Sequence, residues 1–110
     1  CPTSTRNLAA VCWAVIDKLR QDLLPSTLHW SDAGAASWYD FAVAIGELAA
    51  EQNLLERPAV VNPIPAADYP TPAQRPSYSL LDCTETRAVL GLGACHWRSS
   101  LNRVMADVDR

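Results

Sequence analysis

Six of the chain's eight prolines fall in one stretch: Pro58, Pro63, Pro65, Pro70, Pro72 and Pro76. Proline lacks a backbone N–H, fixes its own φ, and biases the residue before it away from helix. Beyond residue 61 the segment, through Ser79, therefore cannot be helix. Ala59-Val60-Val61 is a strand candidate that Pro63 would end, because proline cannot donate to a ladder. The rest, through Ser79, reads as an irregular path. It is either a floppy linker or a segment pinned to a surface by the interleaved Ile64, Tyr69, Tyr78, Leu80 and Leu81. Those apolar side chains favour pinning, and proline lowers the entropy cost of fixing such a loop.

The flanks carry helical patterns. Leu8, Val11, Cys12, Val15, Ile16 and Leu19 recur at the spacing of a helix burying one stripe. Thr3 or Ser4 can cap it, Lys18 and Arg20 suit its last turn, and Pro25 lies beyond its end. Thr27-Leu28-His29-Trp30-Ser31 alternates as a short strand does, and Asp32-Ala33-Gly34 turns the chain. Ser37-Trp38-Tyr39-Asp40 has the form of a capping box. The apolar face that follows is Phe41, Ala42, Ile45, Leu48 and Ala49, with Trp38 expected to fold down as an anchor. Asp82-Cys83-Thr84-Glu85 is a second capping-box candidate, opening a short helix that Gly91 closes in a left-handed conformation. A last helix from about Trp97 should turn Trp97, Leu101, Val104, Met105 and Val108 inward. The expectation is α/β: about four helices, two short strands and a long proline-rich loop. A chain of 110 residues has room for one core, so a single domain over residues 1–110 is expected.

Several function classes are disfavoured. The formal net charge is -3 with no basic stripe, which argues against nucleic acid as a partner. The longest uninterrupted apolar stretch, residues 8–16, falls well short of the roughly 20 residues that span a bilayer. No signal-peptide pattern opens the chain. It starts at Cys1 without an initiator Met, which suggests a piece of something longer. The four cysteines allow two disulfides in three pairings, or a zinc site built on Cys83, Cys95 and His96. Cys95 and His96 are adjacent and no C-x-x-C pair is present, which weakens the zinc reading. Cys12 lies in an apolar face, where a thiol packs as a small hydrophobe. Reduced thiols, no metal and a cytoplasmic location are expected.

Catalytic signatures are missing. Gly34, Gly46, Gly91 and Gly93 are too scattered for G-x-G-x-x-G, and neither G-K-[ST] nor G-x-S-x-G occurs. His29 and His96 read as structural or surface imidazoles, and the acidic residues as solvated positions. Arg75 stands apart, as the one cation between Arg57 and Arg87, held in the stiff loop between Gln74 and Pro76. A guanidinium fork matches two phosphate oxygens at once, so Arg75 could clamp a phosphate. Equally, it could pair with Asp68 or Asp82 at the surface.

The loop Asp68-Tyr69-Pro70-Thr71-Pro72-Ala73-Gln74-Arg75-Pro76, followed by Ser79-Leu80-Leu81-Asp82, resembles the Y-P-T-P-A-x-R-P-x-N-S-x-L-D signature of dTDP-4-dehydrorhamnose reductases. These belong to the extended short-chain dehydrogenase/reductase superfamily. Pro2-Thr3 leading into Arg6-Asn7-Leu8-Ala9 is similar to that family's P-T-x-x-x-D-L-A helix start, with Asn7 where Asp is usual. Leu28-His29-Trp30-Ser31 with Ser37-Trp38-Tyr39-Asp40-Phe41-Ala42, and Trp97-Arg98 with the closing helix, match further segments. The resemblance is to the carboxy-terminal part alone. The Gly-rich NADPH turn and the Tyr-x-x-x-Lys pair are absent, since Tyr39 is followed by Val43 where Lys should stand.

The resemblance implies a sugar-nucleotide-binding lobe carrying the last strand and helix of an otherwise missing Rossmann domain. It implies Arg75 at the nucleotide diphosphate, with Tyr69, Thr71 and Tyr78 shaping the cleft and no catalytic residue in this chain. Tyr78 replaces the motif's Asn and could pack or stack on a base. The parent reaction implied is NADPH-dependent reduction of dTDP-6-deoxy-L-lyxo-4-hexulose to dTDP-L-rhamnose for cell-surface polysaccharide. This chain would bind the dTDP-sugar but not NADPH, and a homodimer is compatible. The alternative is a non-catalytic regulatory or interaction module of the same fold, like the regulatory subunit of methionine adenosyltransferase.

Overall fold

The first helix starts at a hydroxyl. In the computed structural model, which describes residues 1–21 and 24–108, the Ser4 hydroxyl accepts from the Asn7 N–H at 3.1 Å and opens α1 (Thr5–Leu19). Three more helices follow: α2 (Trp38–Glu51), α3 (Thr84–Leu90) and α4 (Trp97–Ala106). A single 3₁₀ turn, Ala66–Asp68, lies in the proline-rich loop.

α2 begins with the expected capping box. Ser37 Oγ accepts from the Asp40 N–H at 3.1 Å, and Asp40 Oδ2 accepts from the Ser37 N–H at 2.8 Å. Ala44, Leu48 and Ala49 are buried, and α2 packs on α4. Phe41 meets Trp97 edge-on at 6.1 Å, the Arg98–Glu47 ion pair closes at 2.7 Å, and Gln52 donates to Asn102. The anchor is Trp97, which is buried. Trp38 is 86% exposed, contrary to expectation. It lies on the right face by periodicity but at the first helical position, where only the Phe41 ring of its own helix meets it, at 6.3 Å.

α1 packs near α3, but its apolar stripe is split. Val11 is buried and Val15 half-buried, whereas Leu8, Cys12, Ile16 and Leu19 are exposed together with Trp13. In α4, Trp97 and Ser100 are buried and Leu101 and Met105 half-buried, while Val104 and Val108 face outward. Ser100 is buried because a polar knot holds it. Asn7 Nδ2 donates to Ser100 Oγ at 2.9 Å and to both oxygens of Asp32 at 3.0 and 3.1 Å. Asp32 is 2% exposed and also accepts from the Ser4 N–H at 3.3 Å. Its own N–H donates to the Thr3 hydroxyl. The start of α1, the 32–34 turn and α4 are thus fastened by a buried carboxylate both of whose oxygens accept hydrogen bonds.

Neither expected strand forms among the described residues. Residues 27–31 find no ladder partner, and the His29 N–H donates instead to Thr86 Oγ1 at 2.9 Å. The one bridge is isolated and parallel, Ala33 with His96. Ala33 N–H donates to the Cys95 carbonyl at 2.8 Å, and Trp97 N–H to the Ala33 carbonyl at 3.0 Å. Gly34 permits this approach: its φ is +94°, and a Cβ there would lie 2.5 Å from His96 Nε2. Residues 59–61 also lack a ladder, and Val60 is 90% exposed. A strand is defined by its neighbour, and none is present among the described residues. The lobe is built from helices and extended connections.

The second capping box is also incomplete. Asp82 Oδ1 accepts from the Thr84 N–H at 3.0 Å, but the N-cap is Cys83, with no side-chain cap, so the helix starts one residue late. Gly91 closes α3 at φ +63° as expected, with Leu92 N–H reaching back to the Arg87 carbonyl. Between α2 and α3 the proline-rich loop is not pinned to this chain's own surface. Ile64, Tyr69, Tyr78 and Leu81 are exposed, and Leu80 alone of the five is half-buried. The projecting loop agrees with a Cα radius of gyration of 16.8 Å, against roughly 13 Å for a compact domain of this size.

Candidate functional site

Where the carboxy-terminal end of the loop returns to the helices, it faces the 32–34 turn across a concavity of about 360 Å³. Residues 31–34 form one wall; Tyr78 and residues 80–82 form another, and Arg87 of α3 completes the lining. The Arg87 guanidinium is held from two sides. Its Nη2 donates to the Ser31 carbonyl at 3.3 Å, and its Cζ lies 5.7 Å from the centre of the Trp30 ring. Its Nε is buried without a partner, and so is Trp30 Nε1. Asp82 stands at the rim. Hydrogen bonds from the Thr84 hydroxyl and N–H hold its carboxyl below the usual range, with smaller contributions from the charges of Arg87 and His29.

Residues 1–110 match the family model described as the RmlD substrate binding domain. The chain belongs to that family. Similar proteins include a dTDP-4-dehydrorhamnose reductase of Aggregatibacter actinomycetemcomitans, 35% identical over 107 residues, covering 96% of this chain and 36% of the relative. A dTDP-4-dehydrorhamnose reductase of Sinorhizobium fredii is 31% identical over 108 residues, covering 96% and 36%. A probable dTDP-4,6-dihydroxy-2-methyloxan-3-one 4-ketoreductase of Streptomyces antibioticus is 34% identical, covering 97% and 34%. The chain thus spans about a third of the length of these relatives. No solved structure matches it.

In this RmlD substrate binding domain the expected site residues are not gathered together. Tyr78 lines the concavity. Tyr69, Thr71 and Arg75 lie on the exposed loop outside its lining. Thr71 is occupied locally, donating to the Ala73 carbonyl at 2.8 Å. Arg75 makes no hydrogen bond or ion pair among the described residues, so the pairing with Asp68 or Asp82 is not formed. Arg87, Trp30 and Asp82 were not legible as site residues. Only the fold brings position 87 against positions 30 and 31, and no local motif announces it.

The remaining candidates have structural duties. His96 caps α4, its Nδ1 accepting from the Arg98 N–H at 3.3 Å. His29 is exposed. All four cysteines are free: Cys83 is buried beside the Ser31 hydroxyl, Arg103 donates to Cys95, and Cys12 faces outward instead of into the core. No three His, Cys, Asp or Glu side chains converge among the described residues. The chain's glycines do not fit a nicotinamide dinucleotide. Gly34 makes room for His96, Gly46 sits within α2 near Pro58, Gly91 ends α3 and Gly93 lies in the connection to α4, so no glycine turn joins a strand to a helix among the described residues.

Proposed function

We propose that this chain is the lobe of a dTDP-4-dehydrorhamnose reductase that grips the sugar nucleotide, acting in the cytoplasm in dTDP-rhamnose and cell-surface polysaccharide biosynthesis. The reaction of the complete protein is reduction of the C4 ketone of dTDP-6-deoxy-L-lyxo-4-hexulose to dTDP-L-rhamnose. NADPH supplies the hydride, and both the cofactor and the Tyr-x-x-x-Lys chemistry belong to an amino-terminal Rossmann domain outside this chain. The observation that carries the reading is a stiff, solvent-projecting loop in which Arg75, the one cation between Arg57 and Arg87, has no partner among the described residues. A guanidinium without a local carboxylate is available to two oxygens of a diphosphate. The prolines around it limit the entropy lost when a ligand orders the loop. Tyr69 and Thr71, on the same loop, and Tyr78 at its return shape the cleft. Closing the lobe over the sugar raises the effective concentration of the ketone at the cofactor. α1's outer face, with Leu8, Ile16 and Trp13 exposed, supplies the seam on which the Rossmann domain sits.

The test is Arg75→Ala in the complete protein. An ion-assisted contact present in both ground and transition states should, when removed, raise KM for the dTDP-sugar about tenfold or more and leave kcat nearly unchanged. An unchanged KM contradicts the role given to Arg75.

A further inference from the structure

We propose that the concavity between the 32–34 turn and Tyr78 receives an uncharged, oxygen-rich ring of the sugar nucleotide, with Arg87 as the residue that selects it. The inference rests on the dTDP-sugar reading above and divides the ligand: the anionic diphosphate to Arg75, a neutral ring to Arg87.

Three observations carry it. First, Arg87 lines the concavity and is held in place by the Ser31 carbonyl and the Trp30 ring, so its planar guanidinium is fixed at the wall. A fixed fork of N–H donors suits carbonyl, hydroxyl or ring oxygens. Second, the Asp82 carboxylate shares the lining with Arg87, and its negative charge opposes the attraction of a dianion to the guanidinium. The same carboxylate is exposed and offers acceptor lone pairs to a hydroxyl or imide N–H. Third, Tyr78 lies on the opposite wall, 76% exposed, with its ring unstacked on any other aromatic side chain of the described residues. A flat or chair-shaped ring packs against such a face. A volume of about 360 Å³ holds one ring of this kind with room for water. Thymine and the hexose both offer this chemistry.

The experiment uses the complete protein and measures dissociation constants for dTDP-rhamnose, dTDP and inorganic pyrophosphate with wild type, Arg87→Gln, Arg87→Lys and Tyr78→Ala. Arg87→Gln should weaken dTDP-rhamnose tenfold or more and leave pyrophosphate unchanged. Arg87→Lys, which keeps the charge but loses the planar fork, should also weaken it. Tyr78 is exposed, so Tyr78→Ala leaves folding intact and should weaken dTDP-rhamnose several-fold even if both Arg87 variants fail to fold. If dTDP weakens equally, the ring is thymine; if dTDP-rhamnose alone weakens, it is the hexose; either supports the proposal. Pyrophosphate weakening as much as dTDP-rhamnose, or no change in any variant, overturns it. Wild type that fails to bind dTDP-rhamnose overturns the underlying function; wild type that binds with unaffected variants overturns this inference alone.

Discussion

Asn7 shows how much one side chain can decide. Its amide donates both to the buried Asp32 carboxylate and to Ser100, joining residues far apart in sequence. Asp is usual at this position in the resembling motif, and beside Asp32 it would bring two carboxylates within about 3 Å of each other. Asn7→Asp should therefore destabilise the protein by about 2–4 kcal/mol at pH 7, read as a fall in the urea midpoint. Combining it with Asp32→Asn should restore most of the loss, because the pair is then amide and carboxylate again. A single variant as stable as wild type would show that the knot carries no weight. The knot was not legible beforehand: Asp32 read as a turn residue, and its burial depends on partners at positions 4, 7 and 100. The Ser4 cap, the Ser37–Asp40 box and Gly91 were legible, since each is satisfied within a few residues of itself.

Among the elements, α2 makes the clearest commitment to its own start. The Ser37 N–H, then the Ser37 hydroxyl, hold the Asp40 carboxyl below its ordinary value. A carboxyl depressed in the folded state contributes stability above its unfolded pKa of about 3.8, and that contribution is lost as pH falls through the lower folded value. The first turn of α2 should hence fray below about pH 4, seen as lost exchange protection of the Ser37 N–H that donates to this carboxylate. Asp40→Asn should remove that pH dependence, and wild-type exchange protection flat from pH 6 to pH 2.5 would contradict it. α1 illustrates the limit of periodicity. Its spacing identifies a helix, but both flanks of the helix are apolar, and the face chosen by this chain buries Val11 and leaves Leu8, Ile16 and Trp13 outside. The strand expectations at residues 27–31 and 59–61 failed for a related reason. Alternation marks a half-buried extended segment, but a ladder needs a neighbouring strand, and among the described residues neither segment has one.

Across the whole molecule, helices gather at the Trp97 and Asp32 junctions while the loop carrying Tyr69, Thr71 and Arg75 stands away from them. The family was legible because that loop's side chains form a dense linear motif, and residues 1–110 match the RmlD substrate binding domain throughout. The concavity was legible only in part. Tyr78 belongs to the motif, whereas Arg87 reaches the same hollow through the packing of α3 against residues 30 and 31. In the proposed function the loop and the hollow hold one ligand. The most direct test is hydrogen exchange on the complete protein with and without saturating dTDP-rhamnose. Protection of residues 66–82, extending to the amides around residues 31–34, is the predicted result; binding that leaves exchange in both segments unchanged would contradict it.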